Sequence, residues 1–167
     1  SNDSGSVAIV DSTVTGTAPE NATIVNSSVN GNPPTTNPGA NVALVGGKGY
    51  ESLQAAVTDA QDGDTITLLN DHAPSSKVQT IDGKDLTLDL GGYTLNQQLD
   101  VKNCHLTLRN GTVKSPVVGA YLNGGAAVYV YGSDNSNAAA NSCVLDVEST
   151  ATLQGYYGIL ISGPTYS

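Results

Sequence analysis

Three charged residues of alternating sign follow similar strand-like segments. Asp89 and Arg109 each follow the sequence Leu-Thr-Leu, and Glu148 follows the related sequence Leu-Asp-Val. If these segments are neighbouring strands about 4.8 Å apart, the three side chains meet on one outward face. The ordinary outcome is a surface ion ladder in which each pair contributes about 0–1 kcal/mol. The alternative is a binding site in which Arg109 holds the carboxylate of a uronate or sialate sugar.

Tyrosines form a second group with the chemistry to contact a ligand. Tyr129, Tyr131 and Tyr157 lie in the C-terminal third of the chain, among asparagine-rich loops. Neutral aromatic rings beside amides suit sugars, because the C–H face of a sugar stacks on the ring while its hydroxyls form hydrogen bonds. Packing of the same tyrosines against strand faces or an end of the domain remains the alternative. The candidate ligand-binding residues are therefore Arg109, Asp89, Glu148, Tyr129, Tyr131 and Tyr157.

Groups for acid, base or nucleophilic catalysis are few. The chain has two histidines, His72 and His105, and a single arginine. Neither histidine lies in a serine or cysteine nucleophile motif, so we expect both on the surface. Two carboxylates such as Asp89 and Glu148 can come as close as a glycosidase requires, but stacked strands offer such pairs by chance. The sequence predicts no catalytic residue, no metal site and no cofactor.

Two cysteines, Cys104 and Cys143, are 39 residues apart. This spacing excludes the short Cys-x-x-Cys patterns of zinc and redox sites. Each cysteine precedes an inward leucine by two residues, so that neighbouring strands would place them side by side. A separation near 5 Å lies within the Cα range of a disulfide. We predict a Cys104–Cys143 disulfide, with stacked free thiols as the alternative; the disulfide implies an oxidising, extracellular setting.

The strands that position these residues recur at a fixed spacing. The segment that starts at Ile66 is followed by similar segments at Leu86, Leu106 and Leu145, which are 20, 20 and 39 residues further on. Strands that recur every ~20 residues are typical of a parallel β-solenoid, in which each coil buries its inward side chains against the next. The alternative, a small antiparallel sandwich, is disfavoured because two-residue hairpin signals are scarce. The predicted inward residues are Ile66, Leu68, Leu86, Leu88, Leu90, Leu106, Leu108, Leu145 and Val147. This alignment places Thr67 beside Thr87.

The first 39 residues differ from the rest of the chain. Residues 8–16 recur fifteen residues later as 23–31, and a Pro-rich segment, 32–39, follows as a linker. We therefore divide the chain into an N-terminal arm, 1–39, with two strands, and a domain, 40–167. After the linker, residues 50–60 show helical spacing of Leu53, Ala56 and Val57.

Composition excludes several classes of protein. The chain has 167 residues, of which 13% are charged, and it contains no Met, Trp or Phe. A core of Val, Leu, Ile and Ala favours layered β-structure over helix bundles. The net charge of −9 argues against nucleic acid and against anionic membrane surfaces as partners. No apolar run approaches the ~18 residues of a membrane span.

Four sequence phrases resemble a known family. The segments DGDTITLLND, LTLDLGGYTL, LTLRNGTV and YGILISG resemble the right-handed parallel β-helix domains, pectin-lyase-like in fold, of large bacterial cell-surface proteins, over roughly residues 42–163. The resemblance implies an all-β, right-handed parallel β-helix with coils of ~20 residues, one N-terminal capping helix and an extended N-terminal arm. The function that we expect is a non-catalytic, extracellular module of a bacterial surface or adhesive structure, which contacts glycan or protein through its coil faces. The alternative is a polysaccharide lyase or glycosidase fragment of the same fold.

The end of the repeat pattern bears on assembly. No polar capping element follows the last predicted strand, although an isolated solenoid needs one to protect its open edge. We expect that the natural protein continues or that another subunit covers this edge. Strand addition by residues 1–39 of a neighbouring copy would make the protein a homo-oligomer or filament subunit.

Overall fold

The structure, a computed structural model, describes residues 8–15, 23–25, 28–29, 41–117, 125–131 and 143–162. The N-terminal strands are β1 (Ala8–Val10), β2 (Thr13–Val14), β3 (Thr23–Val25) and β4 (Ser28–Val29). They are followed by β5 (Ala43–Val45), β6 (Lys48–Tyr50), the helix α1 (Leu53–Asp59), β7 (Thr65–Leu68), β8 (Val78–Asp82), β9 (Leu86–Asp89), β10 (Thr94–Leu95) and β11 (Gln98–Lys102). The last strands are β12 (His105–Arg109), β13 (Gly111–Lys114), β14 (Ala126–Tyr131), β15 (Val144–Val147), β16 (Ala151–Gln154) and β17 (Tyr157–Ser162).

The described strands form five sheets. The large sheet has the order β15-β12-β9-β7-β5-β6, the four-stranded sheet β17-β14-β11-β8, and the three-stranded sheet β10-β13-β16. The N-terminal strands form two further sheets, β1-β3 and β2-β4. Neighbouring strands are parallel except around β5, which is antiparallel to both β6 and β7. No helix among the described residues is long and apolar enough to cross a lipid bilayer.

The expected fold class, a right-handed parallel β-helix with a capping helix, is wrong. The strands are distributed over several separate sheets, one of which is mixed, rather than over one continuous β-helix. One cause is the glycine pair Gly46-Gly47, whose φ angles of 55° and 84° reverse the chain between β5 and β6. This two-residue hairpin signal is present in the sequence, but its significance was missed. A second cause is that the N-terminal strands pair at a fifteen-residue spacing and form sheets of their own.

The strand register is partly as predicted. Leu86 lies beside Leu106, which lies beside Leu145, and Asp89 lies beside Arg109. The predicted register of β7 is wrong by two residues, because Ile66 lies beside Leu88 and Thr67 beside Asp89. The turn before β7 accounts for this shift. There the Asp64 carboxylate accepts a hydrogen bond from the Gln61 N–H, and Gly63 N–H donates to Asp85 O. Since the shift is an even number, the inward and outward faces of β7 are unchanged.

An aliphatic core lies between the sheets. Seven of the nine predicted inward residues are buried: Ile66, Leu68, Leu86, Leu88, Leu90, Leu106 and Leu108. The other two lie in the outermost strand β15, where Leu145 is half-buried and Val147 is exposed. Both lie beside buried inward residues, Leu106 and Leu108, as predicted, but they are less covered because β15 has only one neighbouring strand among the described residues.

The helix α1 is confirmed and packs near one end of the sheets. Ser52 caps the N-terminus of the helix by accepting a hydrogen bond from Ala55 N. The helix contacts β5, β6 and β8. Leu53, Ala56 and Val57 are buried, as the helical spacing predicted. The helix therefore covers the core at the end opposite to β15, β16 and β17.

The two N-terminal repeats pair with each other. Ala8 lies beside Thr23 and Val10 beside Val25 in parallel register, and Thr13 lies beside Ser28. Each repeat contains two short strands instead of the one predicted. The predicted boundary at residue 39 and the linker lie outside the described residues.

Candidate functional site

The outward side of the large sheet carries a regular array of polar side chains. Thr65, Thr87, Thr107 and Asp146 form one row across the strands, and Thr67, Asp89 and Arg109 form the next. Successive side chains in a row are about 4.8 Å apart. We call this surface the polar face; it consists of Thr65, Thr67, Thr87, Asp89, His105, Thr107, Arg109 and Asp146.

Arg109 and Asp89 form an ion pair on the polar face. Arg109 Nε lies 2.9 Å from Asp89 Oδ2, and the same carboxylate accepts hydrogen bonds from Gly91 N and Asn110 Nδ2. Burial raises the pKa of Asp89, but the Gly91 N–H, Arg109 and Asn110 outweigh burial and hold the pKa below its ordinary value of 3.8. The carboxylate is therefore ionised, and both of its oxygens already accept hydrogen bonds from other residues of the chain.

Glu148 lies in the same region but is placed differently. Its backbone N–H donates to Leu108 O, and its side chain is exposed. Among the described residues, Asp89 is the only carboxylate within 4.0 Å of the Arg109 guanidinium. The structure thus brings two of the three predicted charges together and leaves Glu148 as a separate carboxylate at the edge.

A second pair on the polar face was not anticipated from the sequence. His105 Nε2 lies 2.6 Å from Asp146 Oδ2, and both side chains are exposed. The two residues are diagonal neighbours, since His105 is beside Val144 and Asp146 is beside Thr107. The repeat spacing allows this neighbour to be found once the diagonal contacts of a sheet are considered.

A shallow cavity opens beside His105. Its volume is about 180 Å³, and its lining is formed by Gly63, Asp85, Leu86, Thr87, His105 and Thr107. Sites for drug-sized ligands occupy about 300–1,000 Å³, so this cavity suits a single polar substituent such as a sugar hydroxyl. Among the described residues, no three His, Cys, Asp or Glu side chains are grouped to hold a metal ion.

The candidate tyrosines do not form one site. The rings of Tyr129 and Tyr131 pack edge to face with their centres 4.3 Å apart. Tyr129 is only 5% exposed, which is too little for a sugar to stack on its ring. Tyr131 OH donates to Asp100 Oδ2, and Lys102 Nζ lies 4.3 Å from the centre of the Tyr131 ring. Burial, together with the negative charge of Asp100, raises the pKa of Tyr131. These two rings therefore serve a local packing and hydrogen-bonding cluster.

Tyr157 lies elsewhere, at the start of β17. It is beside Ala126, whereas Tyr129 is beside Leu160, so Tyr157 and Tyr129 belong to opposite faces of the four-stranded sheet. The rings of Tyr156 and Tyr157 contact each other edge to face at 4.9 Å, and both residues are exposed. These are the accessible aromatic rings of this group.

The cysteines are neighbours, as the spacing predicted. Cys104 Sγ lies 3.8 Å from Cys143 Sγ, and both residues are free thiols in this structure. Cys104 is buried, and burial together with the nearby Cys143 raises its pKa to about 12. The disulfide itself remains a prediction.

An apolar surface lies where the three main sheets end. In the part of the chain that the structure describes, the last strands of these sheets are β15, β16 and β17, each with a strand neighbour on one side. Their core-side residues Val147, Ile159 and Ile161 are 37%, 43% and 69% exposed. The residues beside them in the preceding strands, Leu108, Val128 and Val130, are 0%, 0% and 8% exposed. We call this surface the terminal face; it consists of Leu145, Val147, Leu153, Tyr157, Ile159 and Ile161.

Comparison with known proteins gives no relative: no family model, no curated protein and no solved structure matches this chain.

Proposed function

We propose that this chain is a non-catalytic, extracellular module of a bacterial surface or adhesive structure, which associates with copies of itself through the terminal face. The observation that supports the proposal most strongly is the exposure of the core-side residues Val147, Ile159 and Ile161 along β15 and β17. The sequence resemblance to bacterial cell-surface proteins supports the setting. Contact with glycan or another surface protein is assigned to the polar face.

The terminal face has the properties of a strand-addition site. An edge strand presents unpaired N–H and C=O groups, and natural proteins usually protect such edges with charges, proline or a covering segment. The six residues of β17, Tyr157–Ser162, include no charged residue and no proline. A strand added here gains backbone hydrogen bonds and covers the aliphatic side chains in one step.

The segment that we assign to the terminal face is the N-terminal arm of a second copy. Its strands β1, β2, β3 and β4 contain no charged residue and are rich in Val, Ile and Thr, which favour strands. They pair in sheets of two strands with two or three residues each, and sheets this small are marginally stable alone. Joining a larger sheet stabilises them.

The charges of the two surfaces predict how the association depends on salt concentration. The N-terminal arm contains Asp3, Asp11 and Glu20 but no Lys or Arg, and Asp146 and Glu148 lie in and directly after β15, at the border of the terminal face. The two surfaces therefore repel each other weakly, and apolar contact must overcome the repulsion. Association should strengthen as salt screens these charges, which is the opposite of an interface held by ion pairs.

Binding without turnover agrees with how the polar face uses its carboxylates. Asp89 is held by Arg109, Asn110 and Gly91, and Asp146 is paired with His105. Carboxylates committed in this way support a rigid surface. The threonine row and the partly exposed Arg109 offer hydroxyls and a cation to a glycan.

Sedimentation velocity tests the assembly. The full chain should form larger species as its concentration and the salt concentration rise, whereas deletion of residues 1–39 or the substitution Ile161→Lys should leave a monomer. The matched control is Val78→Lys, because Val78 is also an exposed apolar residue, in the edge strand β8 at the other end of the same sheet. A full chain that stays monomeric, or an Ile161→Lys variant that assembles normally, would overturn this part of the proposal.

Two assays test the remaining parts. A glycan array should show binding that falls on Arg109→Ala, and no signal above background would remove the assignment of glycan to the polar face. A turnover screen on acidic polysaccharides should show no product. Cleavage that is lost on Arg109→Ala would instead identify a polysaccharide lyase or glycosidase.

A further inference from the structure

We propose that Cys104 and Cys143 close to an intramolecular disulfide that fastens the edge strand β15 to β12. The disulfide would fix one border of the terminal face covalently. The proposal rests on the geometry around the two thiols and does not depend on assembly.

The backbone already holds the two cysteines at the required separation. They immediately precede the paired residues His105 and Val144, and Val144 N–H donates to Cys104 O over 2.9 Å. Neighbouring parallel strands are about 4.8 Å apart, which lies within the 4.4–6.8 Å range of Cα distances in disulfides. The sulfur atoms are 3.8 Å apart. Side-chain rotation therefore suffices to bring them to bonding distance.

The two thiols differ in accessibility. Cys104 is 3% exposed, whereas Cys143 is half-buried. The raised pKa of Cys104 also keeps its thiolate scarce at neutral pH. Cys143 is therefore the thiol that an oxidant meets first.

Oxidation then follows ordinary thiol–disulfide exchange. The Cys143 thiolate attacks one sulfur of a small disulfide such as oxidised glutathione, forms a mixed disulfide and releases one glutathione thiolate. Cys104 loses its proton to solvent, and its thiolate attacks Cys143 Sγ and releases the second glutathione. The protein loses two protons and two electrons, that is two hydrogen atoms, and the oxidant becomes two reduced glutathione molecules.

The disulfide would hold β15, which is the least buried of the parallel strands in the large sheet. Among the described strands β15 pairs with β12 alone, and none of its four residues is fully buried. Strands of this kind open locally before the core does. A covalent bond at its first residue pair limits this opening.

Incubation of the folded chain in oxidised glutathione, followed by intact-mass analysis, tests the proposal. The expected product is a monomer lighter by two hydrogens, restored by dithiothreitol. Cys104→Ala should accumulate a glutathione adduct on Cys143, while Cys143→Ala should react slowly because the remaining thiol is buried. Retention of both thiols, a disulfide-linked dimer, or a faster adduct on Cys104 than on Cys143 would overturn the proposal.

Hydrogen exchange measures the consequence in the unmutated chain, so the test does not depend on variants that fold poorly. Amides of β15 should exchange at least about tenfold more slowly after oxidation, since the closed bond restricts local opening. The internal control is β6, the strand at the opposite end of the same sheet, whose exchange should not change. Equal exchange of β15 in both states would contradict the proposed fastening.

Discussion

Lys84 holds the C-terminus of α1, and its replacement offers the sharpest test of the fold. Its Nζ donates to Val57 O at 2.8 Å, Thr58 O at 2.7 Å and Ala60 O at 2.8 Å. The last turn of the helix contains no basic residue of its own. One ammonium group thus satisfies three carbonyls that would otherwise lack partners, and it places a positive charge at the negative end of the helix.

The expected cost of Lys84→Met follows from these contacts. Hydrogen bonds to a charged group contribute ~1.5–3 kcal/mol, and a cation at a helix C-terminus adds ~0.3–1 kcal/mol. Lys84 is half-buried, so water can replace part of these interactions in the variant. Methionine keeps most of the aliphatic stem. We therefore expect a loss of about 2 kcal/mol in the free energy of unfolding, the contribution of one charge-assisted hydrogen bond and well below the sum over the three contacts, because water replaces the others.

Urea unfolding followed by tyrosine fluorescence and circular dichroism measures this loss. With a urea dependence of ~1–3 kcal/mol per molar, the midpoint should fall by about 1 M. Lys77→Met is the matched control, since Lys77 is an exposed lysine before β8, and its midpoint should change little. Equal effects of the two substitutions, or a loss below ~0.5 kcal/mol for Lys84→Met, would refute the capping role.

Four further variants test other parts of the structure. Leu108→Ala should lower the free energy of unfolding in urea by about 3 kcal/mol, because Leu108 is fully buried. Val147→Ala, at the neighbouring position in β15, should lower it by less than ~1 kcal/mol. Similar losses for the two variants would contradict the open terminal face. Asp89 has a lowered pKa, so its stabilisation is present above pH 3.8 and is lost as the pH falls through its folded-state pKa. The stability gap between wild type and Asp89→Asn should therefore shrink from pH 7 to pH 3, and a constant gap would contradict the ion-pair assignment. Gly91→Ala should lower the midpoint, because Gly91 has a φ of 62° and an added Cβ would lie 2.5 Å from Leu68 O; an unchanged midpoint would show that the turn can relax.

The repeat spacing predicted the pairing of β9 with β12 and of β12 with β15. Asp89 and Arg109 are twenty residues apart and meet as predicted. The register of β7 was wrong because its preceding turn is fixed by the Asp64 side chain, which the spacing of hydrophobic residues does not report. The mixed sheet was missed because the glycine pair that reverses β5 into β6 was not recognised as a hairpin signal.

The candidate site was predicted less completely than the strands. Periodicity identifies the direction of a side chain but not how fully the neighbouring layers cover it, so Tyr129 was chosen for ligand stacking although it is buried. The His105–Asp146 pair was missed because it is a diagonal contact between adjacent strands, and only direct neighbours had been compared. Tyr131 is partly shielded by Lys102, another contact that the spacing does not indicate.

The two ends of the main sheets differ, and this difference makes a prediction about the form of an assembly. At one end α1 covers the core, and Asp59 ties the helix to β6 through Tyr50 OH and Lys48 Nζ. At the other end the terminal face is open. If the N-terminal arm of one copy occupies the terminal face of the next, the interface is heterologous and leaves a free arm and a free face in every open chain of copies, so the mass should rise beyond twice that of the monomer. Two terminal faces in contact would instead form an isologous dimer, whose mass stops at twice that of the monomer and survives deletion of residues 1–39. Light scattering across a concentration series distinguishes the two, and a dimer that survives the deletion would refute the role of the arm.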